Sequence, residues 1–180
     1  MKKSLLILSI FLFAKAATAL ELSSPEVAAE GKLSNEHVLS GFGCTGKNIS
    51  PALKWKNVPS GTKSLAITAY DPDAPTGSGW WHWVLFNLPP NVTELPANAG
   101  NPETALAPKN SVQSTTDFGK PGFGGACPPA GDKPHRYIFT VYALKLDALP
   151  LDKTASGAMV GFFLNANALE KASLTTYYGR

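Results

Sequence analysis

The segment Arg136 to Leu144 limits what this chain can fold into more than any other. Read as a strand, it sets Tyr137, Phe139, Val141 and Ala143 on one face and Ile138, Tyr142 and Leu144 on the other. A strand that is apolar on both faces has to be covered on both, which places it centrally in a layered structure. Two further runs alternate. Lys63 to Tyr70 sets Leu65, Ile67 and Ala69 against Ala66, Thr68 and Tyr70, and His82 to Leu88 sets His82, Val84, Phe86 and Leu88 against Trp83 and Leu85. Ala52 to Val58 and Ser173 to Tyr178 are weaker strands. Helical spacing occurs once, over Thr154 to Lys171, where Met159, Phe162, Phe163, Ala166 and Leu169 form a stripe expected to pack on the core. Thr154 is its expected cap, while Gly157 and Gly161 weigh against a helix. The chain reads as a β sandwich.

The first residues read as an address. Lys2 and Lys3 precede an apolar run from Leu5 to Ala14 broken only by Ser9, and Ala17, Thr18 and Ala19 supply a small-x-small cleavage pattern. That run is too short to span a bilayer and has the secretory layout, so Met1–Ala19 is expected to be a signal peptide and 20–180 a single exported domain. In a bacterium its destination is the periplasm or beyond. The whole chain of 180 residues carries 16 basic and 13 acidic side chains. Lys2, Lys3 and Lys15 all lie in the signal, which contains no acid, so the remainder balances at 13 of each. Long-range attraction to nucleic acid loses its support. No second apolar stretch suggests a stable membrane span.

Export bears on Cys44 and Cys127, the only two cysteines. They lack C-x-x-C spacing, and one long-range disulfide is the simplest expectation in an oxidising compartment, with two buried thiols as the alternative. Nearby, Gly41-Phe42-Gly43-Cys44-Thr45-Gly46 satisfies G-x-G-x-x-G, and Gly41 to Lys47 nearly satisfies a phosphate loop. Both motifs need a helix starting inside the loop, and Pro51 denies it. This is a glycine-rich loop. Asn48-Ile49-Ser50 and Asn91-Val92-Thr93 match glycosylation sequons, the first weakened by Pro51.

Chemistry concentrates elsewhere. Asp71-Pro72-Asp73-Ala74-Pro75 follows one strand, and its prolines stiffen the carboxylates. Gly77-Ser78-Gly79-Trp80-Trp81-His82-Trp83 then turns into the next strand. Cys127-Pro128-Pro129 leads to His135-Arg136-Tyr137, where His135 and Tyr137 share a face. Two carboxylates, two histidines and a tyrosine at strand ends make a small polar pocket.

These segments resemble the two signature regions of the phosphatidylethanolamine-binding protein family, in its exported, bacterial Raf-kinase-inhibitor-like branch. Similarity extends over Gly41–Pro51, Asp117–Gly125 and Ala155–Asn167. The resemblance implies an antiparallel β-sandwich, mainly β, with one or two short helices near the C-terminus and an anion pocket at one end. It implies that Asp71, His82, Pro128, His135 and Tyr137 line the pocket, with Asp73 and Trp83 as supports. The implied ligands are phosphate, phosphoethanolamine-like head groups or carboxylates. Cys127 departs from the family pattern, standing where many relatives carry Gly. A missing C-terminal extension and export both weaken transfer of kinase inhibition.

Protonated imidazoles would strengthen phosphate binding, so affinity is expected to rise as pH falls through the histidine range. No cofactor is expected. Metal binding through Asp71, Asp73, His82 and His135 has no diagnostic spacing. A binding module is the leading reading. Competing readings are a protease inhibitor presenting a loop such as Ala97–Lys109 to a protease or other exported protein, and an acid–base hydrolase. The hydrolase lacks a G-x-S-x-G elbow and a zincin motif.

Overall fold

The computed structural model describes residues 18–180, so all but the last two residues of the expected signal peptide lie outside the described residues. Ten strands and one helix form the domain: β1 Glu21–Ser23, β2 Ser40–Gly41, β3 Cys44–Thr45, β4 Leu53–Lys56, β5 Ser64–Asp71, β6 Trp80–Leu88, β7 Glu94–Leu95, β8 Val112–Gln113, β9 His135–Leu144, α1 Gly157–Asn167 and β10 Ala168–Tyr178. A five-stranded antiparallel sheet in the order β10-β9-β5-β6-β8 is the frame. The sheet β1-β4-β7 covers one face and α1 the other.

The two-sided strands sit where their chemistry requires. On one side Leu65, Ile67, Trp83, Leu85, Phe139 and Val141 pack against Leu53, Trp55 and Leu95 of the small sheet. On the other, Ala66, Val84, Phe86, Tyr142 and Leu144 pack against Val160 and Leu164 of α1. Apolar surface leaves water on both faces, the main term favouring the fold.

Two bulges in β6 correct the expectation that His82, Val84, Phe86 and Leu88 share one face. Leu65 pairs with Leu88 but Ile67 with Leu85, so β6 carries an extra residue there, and Asn87 takes a positive φ of 60°. The extra residue moves Leu88 to the side of Leu85 and Trp83. A second shift falls between Ala69 and Tyr70, which pair with Trp83 and Trp81. His82 is the unpaired residue between them. It leaves the Val84–Phe86 side, and its ring meets Tyr137 and Phe118 at centroid distances of 5.1 and 5.3 Å.

The helix is shorter than its apolar spacing suggested. It is capped by Ser156, whose Oγ accepts from Met159 N at 3.2 Å, while Thr154 turns back to Asp152. It ends at Asn167, and the rest of the expected helix is strand, because Ala168 to Tyr178 pairs with β9 along its length. The buried face is also a different one. Gly157, Val160, Gly161 and Leu164 are buried, whereas Met159 and Phe162 are 50% and 70% exposed. Gly157 and Gly161 explain this, since a Cβ on Gly157 would overlap the Trp81 indole and one on Gly161 would crowd it. The glycines that weighed against a helix let it lie on a tryptophan.

Candidate functional site

At one end of the large sheet β5 stops, β9 begins and the bulge of β6 turns His82 outward. β5 stops at Asp71 because Pro72 brings no N–H to the ladder. Asp71 Oδ1 accepts from the backbone N–H of Asp73 at 2.8 Å and of Ala74 at 3.1 Å, closing a turn around the carboxylate. Its Oδ2 lies 2.7 Å from His135 Nδ1, and both side chains are buried. An ionised carboxylate only accepts, so Nδ1 carries hydrogen. The other ring nitrogen, Nε2, faces the half-exposed Asp132 carboxylate at 3.4 Å.

His82 is wired differently. Its Nδ1 donates to the Gly124 carbonyl at 2.7 Å. Burial pushes its pKa below the ordinary histidine range, against the opposing pull of the Gly124 carbonyl and the Asp71 charge. The neutral ring, with hydrogen on Nδ1, leaves Nε2 as an acceptor. Asn48 holds the Gly124 segment in place, donating to Phe123 O at 3.1 Å and accepting from Gly125 N at 2.7 Å. The amide of the first sequon is therefore engaged. The glycine-rich segment around Phe42 is the β2–β3 hairpin with no helix, and its Lys47 pairs with Glu36 at 2.7 Å.

At this end of the sheet lies a cavity of about 380 Å³. The structure places Asp71, His82, Pro128, His135 and Tyr137 in its lining. Asp73 and Trp83 do not line it. Asp73 points outward, where Arg136 Nε and Nη2 donate to it at 2.9 and 2.6 Å and Arg136 N at 2.9 Å. The Arg136 hydrogen bonds hold the Asp73 carboxyl down at about 2. Trp83 is wholly buried, its indole N–H on Gln113 Oε1 at 2.9 Å.

Reading the sequence missed other lining residues, among them Phe42, Trp80, Phe118 and Arg180. Phe42 stacks on Phe118 at 5.9 Å, and Trp80 meets Phe118 edge-on at 5.4 Å. Trp80 stands two residues before His82, so its place was within reach of the motif. Arg180 carried no such signal. It arrives because β10 runs antiparallel to β9, with Tyr178 opposite His135. Cys44 and Cys127 form a disulfide that ties the β2–β3 hairpin to the Pro128–Pro129 segment.

Two donors in this cavity stand out. Tyr137 Oη and Trp80 Nε1 are buried and donate to no acceptor, the Tyr137 oxygen being approached only by the Cys127 backbone N–H. Burial, with the Asp71 charge adding to it, pushes the Tyr137 phenol far above its ordinary range, so it stays a donor. An unmatched buried donor costs about 1–3 kcal/mol, which a ligand oxygen recovers.

Among the described residues, no group of three or more His, Cys, Asp or Glu side chains could hold a metal ion, and no helix is long and apolar enough to cross a membrane. The loop Ala97–Lys109 is pinned by Ser50, whose carbonyl accepts from Asn98 N and whose Oγ accepts from Gly100 N. It contains the 3-10 turn Pro102–Thr104 rather than an extended segment.

A family model described as phosphatidylethanolamine-binding protein matches residues 23–179. The UPF0098 protein YbcL of Escherichia coli is 52% identical over 172 residues, covering 96% of this chain and 94% of that protein. YbhB of the same organism is 50% identical over 159 residues, covering 88% and 99%. The crystal structure of YbcL, described as a new member of the mammalian PEBP family, superimposes with a TM-score of 0.89 over 91% of this chain and 99% of that one. A homolog from Chlamydia trachomatis, 28% identical, gives 0.74 over 90% and 98%.

Proposed function

The chain belongs to the phosphatidylethanolamine-binding protein family, and on that premise we propose that it is an exported binding protein whose sheet-end cavity takes a small phosphate- or carboxylate-bearing group, with no catalytic role. One observation carries the reading: Tyr137 and Trp80 line the same cavity, and the O–H of one and the indole N–H of the other are buried donors without an acceptor. Two such donors suit an oxyanion, which accepts at several oxygens at once. The aromatic walls suit an apolar body attached to it. Cys127, the one thiol near the cavity, is spent in the disulfide, which leaves no thiol nucleophile. Support for export comes from the signal-like N-terminus and agrees with the disulfide.

The test follows the indole N–H of Trp80 by NMR while inorganic phosphate, acetate and phosphoethanolamine are added in turn. At least one is expected to move that resonance saturably as the donor gains an acceptor. A Trp80 indole signal unmoved by all three sinks the reading. N-terminal sequencing of the protein from its native host tests export, and an intact Met1 would end that part.

A further inference from the structure

Anion binding at this site, as proposed above, needs positive potential, and the histidines are poorly placed to supply it. His82 spends its Nδ1 hydrogen on Gly124 O and offers only a lone pair at Nε2 while neutral. Both nitrogens of His135 face carboxylates, Asp71 at 2.7 Å and Asp132 at 3.4 Å. A charge on that ring is already matched by two acidic groups. Asp71 adds negative charge to the cavity wall itself.

The remaining cation among the lining residues is Arg180. Its Nε donates to Pro128 O at 2.7 Å and its Nη1 to Gly43 O at 2.9 Å. Those carbonyls belong to the two segments that the Cys44–Cys127 disulfide joins. The guanidinium is therefore fixed at the seam of the loop wall. Both its partners are neutral carbonyls, and among the described residues no carboxylate forms an ion pair with it. Guanidinium N–H groups remain beyond the two in use, and the charge persists at every pH at which the protein folds.

We propose that Arg180 is the anion-holding cation of this pocket, and that the histidines, tied to the Gly124 carbonyl and to the Asp71 and Asp132 carboxylates, serve as its walls. The inference rests on the anion-pocket reading and adds a residue that the motifs of the sequence did not indicate. Anion, Tyr137 O–H, Trp80 N–H and Arg180 form one binding set. Asp71, Asp132, His82 and His135 are the titratable groups around it.

Calorimetric titration of phosphoethanolamine into the full chain, disulfide intact, tests this with wild type, Arg180→Gln and Arg180→Lys. The glutamine variant is expected to lose roughly tenfold to a hundredfold in affinity, the range for a charge-assisted hydrogen bond, while lysine keeps most of it. Wild-type affinity should hold between about pH 7 and 8.5, where the phosphate is dianionic and free histidine is neutral. Equal binding by Arg180→Gln and wild type overturns the inference and leaves the anion reading standing. So does affinity that collapses above about pH 7, which would assign the charge to a histidine. If lysine fails as glutamine does, Arg180 acts by clamping the two loops, and the inference again falls. Wild type that binds neither phosphoethanolamine nor inorganic phosphate removes both readings together.

Discussion

The two walls of the cavity are built on opposite principles. The strand wall holds Asp71, His82, His135 and Tyr137, each placed by sheet register or by a bulge. Moving one of them means disturbing the ends of strands that the core holds in register. The loop wall holds Phe42, Pro128, Pro129 and Arg180, which belong to no large sheet. It depends on a disulfide, on proline stiffness and on a terminal guanidinium that gathers two carbonyls. The buried carboxylate and imidazoles thus sit on the side the core fixes, and the Arg180 guanidinium on the side held by cross-links.

Asp71→Ala gives the largest effect this contrast predicts. The carboxylate satisfies buried His135 and two backbone N–H groups, so its loss should cost about 3–5 kcal/mol in denaturant unfolding. A loss under about 1 kcal/mol would mean that water or Asp132 replaces the carboxylate, and that the strand wall is not fixed as described.

Replacing Cys44 and Cys127 by serine should come next, at about 2–4 kcal/mol. The contrast is sharper in where the effect falls. Amide exchange should rise in the β2–β3 hairpin and around Pro128 while β5 and β9 stay protected at their new, lower global limit. Uniform loss of protection across β5 and β9, with no extra opening at the hairpin, would erase the distinction between the walls.

Tyr137→Phe should separate stability from binding within the strand wall. Removing a buried hydroxyl that donates to no acceptor leaves stability within about 0.5 kcal/mol of wild type. Phosphate affinity should drop by roughly tenfold, since the hydroxyl's only role in this reading is toward ligand. A variant clearly destabilised in the absence of ligand would show that Tyr137 Oη has a partner in solution.

The sequence revealed the strand wall far better than the loop wall, for physical reasons. Alternation marks strands that are half or fully buried, so β5, β6 and β9 stood out, and with them the Asp71, His82 and His135 positions. Alternation does not register bulges, which is why His82 and Leu88 were assigned to the wrong face. Phe42 and Arg180 were invisible because they reach the cavity through long-range pairings, Cys44 with Cys127 and β10 with β9. The motif also joined Asp71 and Asp73 as one chemical unit. The structure separates them, because adjacent residues of β9 point oppositely, His135 toward the cavity and Arg136 toward solvent.

That separation yields the smallest prediction, set at the outer edge of the strand wall. Asp73 is unprotonated in the folded chain down to about pH 2, because Arg136 grips it through both side-chain and backbone N–H groups. In the unfolded chain the same carboxyl takes its proton near pH 4. A depressed folded pKa contributes stability that is full above the unfolded value and is lost as pH falls through the folded one. Wild type should therefore lose part of its stability between about pH 4 and pH 2, and Asp73→Asn should flatten that part of the curve. The amplitude should be small and should shrink in salt, since the pair faces solvent. An Asp73→Asn curve parallel to wild type over that interval would mean that the Arg136 pair contributes nothing to the acid sensitivity. The outer aspartate would then be a structural bystander, and the two carboxylates would differ in location alone.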